Sequence, residues 1–219
     1  MQLLNNIKNM IETCYKVDSG IDDISDFIIG DDKLDNLKPL AINKVDTYSG
    51  EASVLSNFDV EKPLLSIYLS DPLQKRIRQR PLKLEDIETV SEEIDHAVFI
   101  AYSLDYKKPM SLMEIELQGN ITKYLMMKAV VAGEEGTFPG IRKSLERQIY
   151  NNIFRARFNE KDPEINQRYE NAKKLARGFI DKFKKIDEPY ERKTALREFY
   201  RLSPWQKVEK IKSETGITL

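Results

Sequence analysis

Two adjoining segments constrain this chain more than any other part: residues 84–105 (LEDIETVSEEIDHAVFIAYSLD) and 111–132 (SLMEIELQGNITKYLMMKAVVA). Each keeps helical periodicity, and each is apolar on more than one side. In the first, Ile87, Val90, Ile94, Ala97, Val98 and Ala101 form a stripe, while Phe99, Ile100 and Tyr102 spread around the rest. In the second, Leu117, Ile121, Tyr124 and Leu125 face one way, and Ile115, Met126 and Val130 face another. A helix that is apolar all round must be buried by neighbours on several sides. The connection, residues 106–110, is short enough to make the two helices antiparallel partners. Together they predict the heart of a helical bundle.

The other helices are marked at their starts. Asp71-Pro72, Asp162-Pro163 and Ser203-Pro204 each set a capping side chain before a proline at the first helical position. Ser111 and Glu114 have the spacing of a capping box. The expected helices are 72–79, 84–105, 111–132, 139–157, 163–186, 190–201 and 204–214. In 163–186, Ile165, Tyr169, Ala172, Ala176, Phe179, Phe183 and Ile186 share one face, with Lys173, Lys174, Arg177, Lys182 and Lys185 largely elsewhere.

The first eighty residues are mixed. Leu3, Leu4, Ile7, Ile11 and Cys14 give an amphipathic opening helix. Ser19 is placed to cap a short helix carrying Ile21, Ile24, Phe27 and Ile28, with Gly30 ending it. ASVLSNF and LLSIYLS read as a hairpin, with a third strand near Ile42–Asp46. The fold class expected is mainly α (α+β): a small N-terminal α/β subdomain with a short antiparallel sheet (1–82), packed on a helical bundle (83–219).

Composition excludes several chemistries. One histidine and one cysteine among 219 residues rule out Cys/His zinc clusters, HExxH proteases and two-histidine iron sites. GxxxxGK[ST], GxGxxG and GxSxG are absent, and the glycines of GEEGTFPG (133–140) read as an interhelical connection because Glu134 and Glu135 would repel phosphate. The longest clean apolar run, AVFIAY, is far too short for a membrane span. The N-terminus lacks the basic leader and apolar core of a signal peptide, and a lone cysteine suits a reducing compartment, so the expected location is cytoplasmic. Residues 1–110 carry 13 Lys/Arg against 20 Asp/Glu, whereas 111–219 carry 22 against 16, so the acidic and basic halves are expected to attract each other.

The single histidine, His96, lies in SEEIDHAVFIAY. Glu93-x-x-His96 places two ligands on adjacent turns of one helix, and Glu92 lies one turn from His96 as well. This four-residue motif resembles the Glu-x-x-His of ferritin-like carboxylate sites, in which further glutamates come from neighbouring helices. The resemblance implies a divalent ion such as iron, manganese or zinc. There is no second Glu-x-x-His, so the remaining ligands must come from the next helix, where Glu114, Gln118 and Thr122 form a polar line. The candidate metal set is therefore Glu92, Glu93, His96, Glu114 and Gln118. Counting axial rise from the connection favours Gln118 or Thr122 over Glu114 as the residue level with His96.

The absence of a complete catalytic motif makes a protein–protein interaction or regulatory module the leading expectation, with a metal-dependent enzyme or metal-binding protein as its alternative. A third class is nucleic-acid binding through the basic C-terminal half. QKRIRQRP offers Lys75, Arg76, Arg78 and Arg80, and RKSLERQIYNNIFRARF mixes Arg142, Arg147, Arg155 and Arg157 with aromatics. Against it, Tyr150, Phe154 and Phe158 with Ile149 and Ile153 form a core stripe. Near the C-terminus, Leu196, Phe199, Leu202, Trp205 and Val208 are expected to pin the last two helices to the bundle.

Overall fold

The computed structural model describes residues 2–41, 43–45, 50–57, 64–79, 82–134, 143–155 and 162–219. Helix α1 (Gln2–Tyr15) buries Leu4, Ile7, Ile11 and Tyr15 against the bundle. A 3-10 turn at Ile24–Phe27 leads into the two-residue strand β1 (Ile28–Ile29), followed by helix α2 (Asp31–Leu37). Strands β2 (Asn43–Val45), β3 (Ala52–Asn57) and β4 (Leu64–Leu69) complete the sheet, in the order β1-β4-β3-β2. Helices α3 (Asp71–Arg78), α4 (Leu84–Asp105), α5 (Leu112–Glu134), α6 (Lys143–Arg155), α7 (Pro163–Phe183), α8 (Pro189–Arg201) and α9 (Pro204–Thr215) follow. The protein is mainly α-helical with a small sheet in its N-terminal region.

The central pair is placed as expected. Helix α4 packs along α5, and α5 in turn packs along α7. Ile94, Ala97, Leu117 and Ile121 are all buried. One continuous apolar core joins α1, the inner face of β3 and β4, and helices α3 to α9, so the sheet and the bundle share their interior. None of the described helices is long and apolar enough to cross a membrane.

The N-terminal region differs from the reading in three places. No helix forms at Ser19–Gly30. Ser19 spends its hydroxyl on Glu12 at 2.6 Å, while Asp23 caps the 3-10 turn by accepting from the Ser25 amide at 2.8 Å. The β-branched pair Ile28-Ile29 then joins β4 in parallel, which makes the sheet mixed rather than purely antiparallel. Cap placement also shifts in α3, where Ser70 and not Asp71 accepts from the Leu73 amide at 3.3 Å. The other proline starts stand: Asp162 caps α7, and Ser203 with Gln206 forms a reciprocal capping box on α9. The connection expected at 133–140 lies mostly outside the described residues.

Candidate metal centre

Helix α4 carries Glu88, Glu92 and His96 at four-residue spacing, so they line one face. That face meets α5 at an unusually close point. A Cβ added to Gly119 would sit 2.6 Å from His96 Nε2, so only glycine lets the imidazole lie against the α5 backbone. Glycine in a helix interior costs about 1 kcal/mol relative to alanine. Here that cost admits the histidine.

On either side of Gly119, α5 supplies Glu116 and Lys123 to the same place. Ligand atoms of Glu92, His96 and Glu116 all lie within 4.8 Å of one another. Glu93 Oε2 stands 3.7 Å from His96 Nδ1, beyond hydrogen-bond distance. The Lys123 ammonium is 3.0 Å from Glu92 Oε1. His96 and Glu93 are fully buried and Glu116 is 1% exposed, yet both carboxylate oxygens of Glu93 and of Glu116, and both ring nitrogens of His96, accept or donate no hydrogen bond among the described residues. Six buried polar atoms without a hydrogen bond, with only the 3.7 Å ion-pair contact of Glu93 and His96 among them, carry a heavy cost, since leaving one such group unsatisfied costs roughly 1–3 kcal/mol.

The electrostatics follow from that burial. Loss of solvent pushes the carboxyls of Glu93 and Glu116 well above their ordinary range, with the neighbouring imidazole pulling in the other direction. Burial opposes charge on His96, but adjacent Glu93, Glu116 and Glu92 outweigh it and raise the imidazole. Burial likewise opposes the charge of Lys123, and Glu92, Glu88 and Glu116 overcome it. Tyr169 of α7 is buried; burial raises its phenol, helped by the charges of Glu116 and Glu92.

The sequence-predicted residues therefore part into two groups. Glu92, Glu93 and His96 come together as expected. Glu114 and Gln118 lie on a different face of α5, where they meet other partners. Glu114 Oε1 is held by Lys108 at 2.9 Å and by Lys207 of α9 at 2.8 Å, and Gln118 Oε1 accepts from Lys207 at 3.4 Å. Thr122 continues that line, donating to Asp95 Oδ1 at 2.8 Å while sharing a 2.6 Å hydrogen bond with the Tyr15 hydroxyl. The axial level was read correctly, because Asp95 meets Thr122 and His96 meets Gly119. The face was not. Glu116, missed in the sequence, belongs to a second polar line of Glu116, Asn120 and Lys123 at helical spacing, and Gly119 beside it is the isolated mid-helix glycine that signals close approach.

One residue of the basic clusters, Arg76, is engaged within the protein, paired with Glu51 at 2.7 Å and Asp86 at 2.9 Å. Tyr150 and Phe154 pack on each other and on Tyr124, as a core stripe should. Arg80, Arg142, Arg157 and Phe158 lie outside the described residues. No protein-family model, curated protein or solved structure matches this chain.

Proposed function

We propose that the protein binds one divalent transition-metal ion, with His96, Glu116 and Glu92 as ligands and Glu93 as a further ligand or the group that orients the imidazole. The observation that supports this reading is the set of buried, unpartnered donor atoms on Glu93, His96 and Glu116. Their types match a cation, because all are electron-pair donors when deprotonated and they come from two helices that a bound ion would join. Three carboxylates and one imidazole form an oxygen-rich set with a single borderline nitrogen, which suits manganese or ferrous iron better than a thiolate-loving metal. Metal–ligand bonds of about 2.1 Å place ligand atoms about 3 to 4 Å apart, so the side chains would close in by roughly 1 Å on binding. The depth of the site favours a held or structural ion over one that meets a large substrate, since structural sites are closed by protein ligands.

Metal analysis of untagged protein, followed by Mn2+ titration monitored by electron paramagnetic resonance, tests this. The expected result is about one equivalent bound per chain, lost in His96→Ala and Glu116→Gln, with a stabilisation of about 2.7 kcal/mol at a hundredfold excess over Kd. Less than about a tenth of an equivalent of manganese, iron or zinc, with no thermal shift on adding any of them, overturns it.

A second reading, a protein-interaction module, gains support from one residue. Trp205 is 61% exposed on the first turn of α9, whereas Leu196 and Phe199 are buried. Large exposed aromatics are the usual anchors of interfaces. Because Trp205 is the only tryptophan, a blue shift of its emission on adding a tryptophan-free candidate partner, with calorimetric binding lost in Trp205→Ala, would support this reading. Emission that stays solvent-like with every partner tested would count against it.

A further inference from the structure

The proposed metal ligands are buried, so an ion must pass something to reach them. Following the α4 face toward its N-terminus, Glu88 stands one turn before Glu92, and it also lines a cleft of about 110 Å³ between α4, α5 and α6. The cleft is bordered by Leu84, Glu85, Met127 and Ile149 as well, so its two carboxylates sit among apolar walls. Apolar walls of low dielectric strengthen the field of such carboxylates and concentrate cations there. One turn of α5 before Met127, which borders the cleft, stands Lys123. Its ammonium is 3.0 Å from Glu92 Oε1, and its charge acts on Glu88 as well.

We propose that Glu88 and Lys123 form the entry gate of the metal site, with Glu88 collecting a divalent cation at the cleft and Lys123 releasing Glu92 so that the ion can take its place. This rests on the metal-binding reading. The chemistry is an exchange of one cation for another. Glu92 is the residue shared between the two states: it neutralises the ammonium before loading and ligates the ion afterwards. Lys123 is well suited to withdraw, because its flexible four-carbon stem can swing the ammonium toward Glu88. Glu88 then serves twice, first as the outer collecting carboxylate and then as the acceptor for the displaced lysine.

Stopped-flow loading of the full chain with Mn2+, read by competition with a metallochromic dye, tests the gate by separating rate from equilibrium. Glu88→Gln is expected to slow loading about tenfold, with the amount bound at saturation unchanged, because a collecting charge acts on the association rate. Lys123→Met is expected to speed loading and tighten binding, each about tenfold, because the competing internal cation is gone. Lys123→Arg keeps the charge and should load no faster than the natural protein. If Lys123→Met fails to fold, Lys123→Gln carries the same expectation. Loading at the natural rate in both Glu88→Gln and the neutral Lys123 variant overturns the gate while leaving the metal site standing. No Mn2+ bound by the natural protein removes both.

Discussion

Helix α5 carries two polar lines, and they are treated oppositely. Along Glu114, Gln118 and Thr122 every residue has a partner from another segment: Lys108 and Lys207, Lys207 again, then Asp95 and Tyr15. Along the other line Lys123 is paired, but Glu116 and the two α4 residues it faces, Glu93 and His96, make no hydrogen bond among the described residues. The first line is tied to α9, α4 and α1 by ion pairs and hydrogen bonds, although Glu114 Oε2, Gln118 Nε2 and Asp95 Oδ2 make no hydrogen bond among the described residues. On the second, both carboxylate oxygens of Glu93 and of Glu116 and both ring nitrogens of His96 lack a hydrogen bond among the described residues, and the proposed ion would bind there. Similar residues, on one helix, thus differ in how far other side chains of the protein satisfy them.

The largest test removes a whole side of the first line. Deleting residues 1–82 takes away Tyr15 and the α1 core, so residues 83–219 alone are expected to lose cooperative thermal unfolding. A sharp transition near that of the full chain would show the division at residue 82 to be a true domain boundary, with the first line dispensable. Next in size, Glu114→Gln leaves the two buried ammoniums of Lys108 and Lys207 without a full counter-charge. Removing one partner of a buried ion pair costs about 3–5 kcal/mol, measured here by urea denaturation. Glu116→Gln on the second line, without metal, should cost less than about 1 kcal/mol or even stabilise, because Glu116 makes no hydrogen bond among the described residues and gives up only its attraction for the His96 imidazole and the Lys123 ammonium. Equal losses in the two variants would break the comparison.

Gly119→Ala sharpens it further. The new methyl would meet His96 at 2.6 Å, and an overpacked helix contact costs about 1–3 kcal/mol, offset by about 1 kcal/mol of helix propensity. A net loss of about 1 kcal/mol in urea, together with weakened Mn2+ binding, is the expected outcome. A control away from both lines has a modest effect that depends on pH. Glu146 lies partly buried against Tyr124, Lys128 and Lys184; burial opposes its charge, but the Tyr124 hydroxyl and the Lys128 ammonium outweigh it and hold its carboxyl down at about 2. With a folded value below the unfolded one, its stabilisation is present above about pH 4.5 and disappears as pH falls toward 2. Glu146→Gln should therefore cost roughly 1 kcal/mol at pH 7, discounted for solvent screening, and nothing near pH 2.

Much of the bundle was legible because its signals are local. Helix α4 runs over the residues its periodicity marks, and Asp162, Ser203 and the prolines behind them fix two helix starts. The short helix read after Ser19 shrinks to the 3-10 turn at Ile24–Phe27 because Asp23, nearer to it, takes the cap, while Ser19 donates to Glu12 and accepts from the Ile21 amide. Strand β1 was missed because two residues carry no period; its pairing with β4 depends on a partner nearly forty positions away. At the site, the α4 half could be read from spacing alone. The α5 half could not, since Glu114 and Glu116 are equivalent until the rotation of α5 is known, and Lys207, which claims Glu114, lies far along the sequence. Trp205 was assigned to the core on its chemistry, but the turn at Ser203-Pro204 points it outward.

The attachment of α1 has a consequence for synthesis. Arg201 donates to the Tyr15 carbonyl at 3.1 Å, Arg197 donates to the Cys14 carbonyl at 3.3 Å, and the rings of Tyr15 and Tyr200 stack at 4.1 Å. These contacts join parts of the chain 183 to 186 residues apart. On a ribosome adding about 5–20 residues per second, the first helix emerges about 10 to 40 s before the segment that secures its end. Until then Leu4, Ile7 and Ile11 have only α4 and its neighbours to cover them, and early in translation not even those. Through that interval the apolar face of α1 lacks the segment that completes its cover, and a chaperone that shields such a surface would act on this helix.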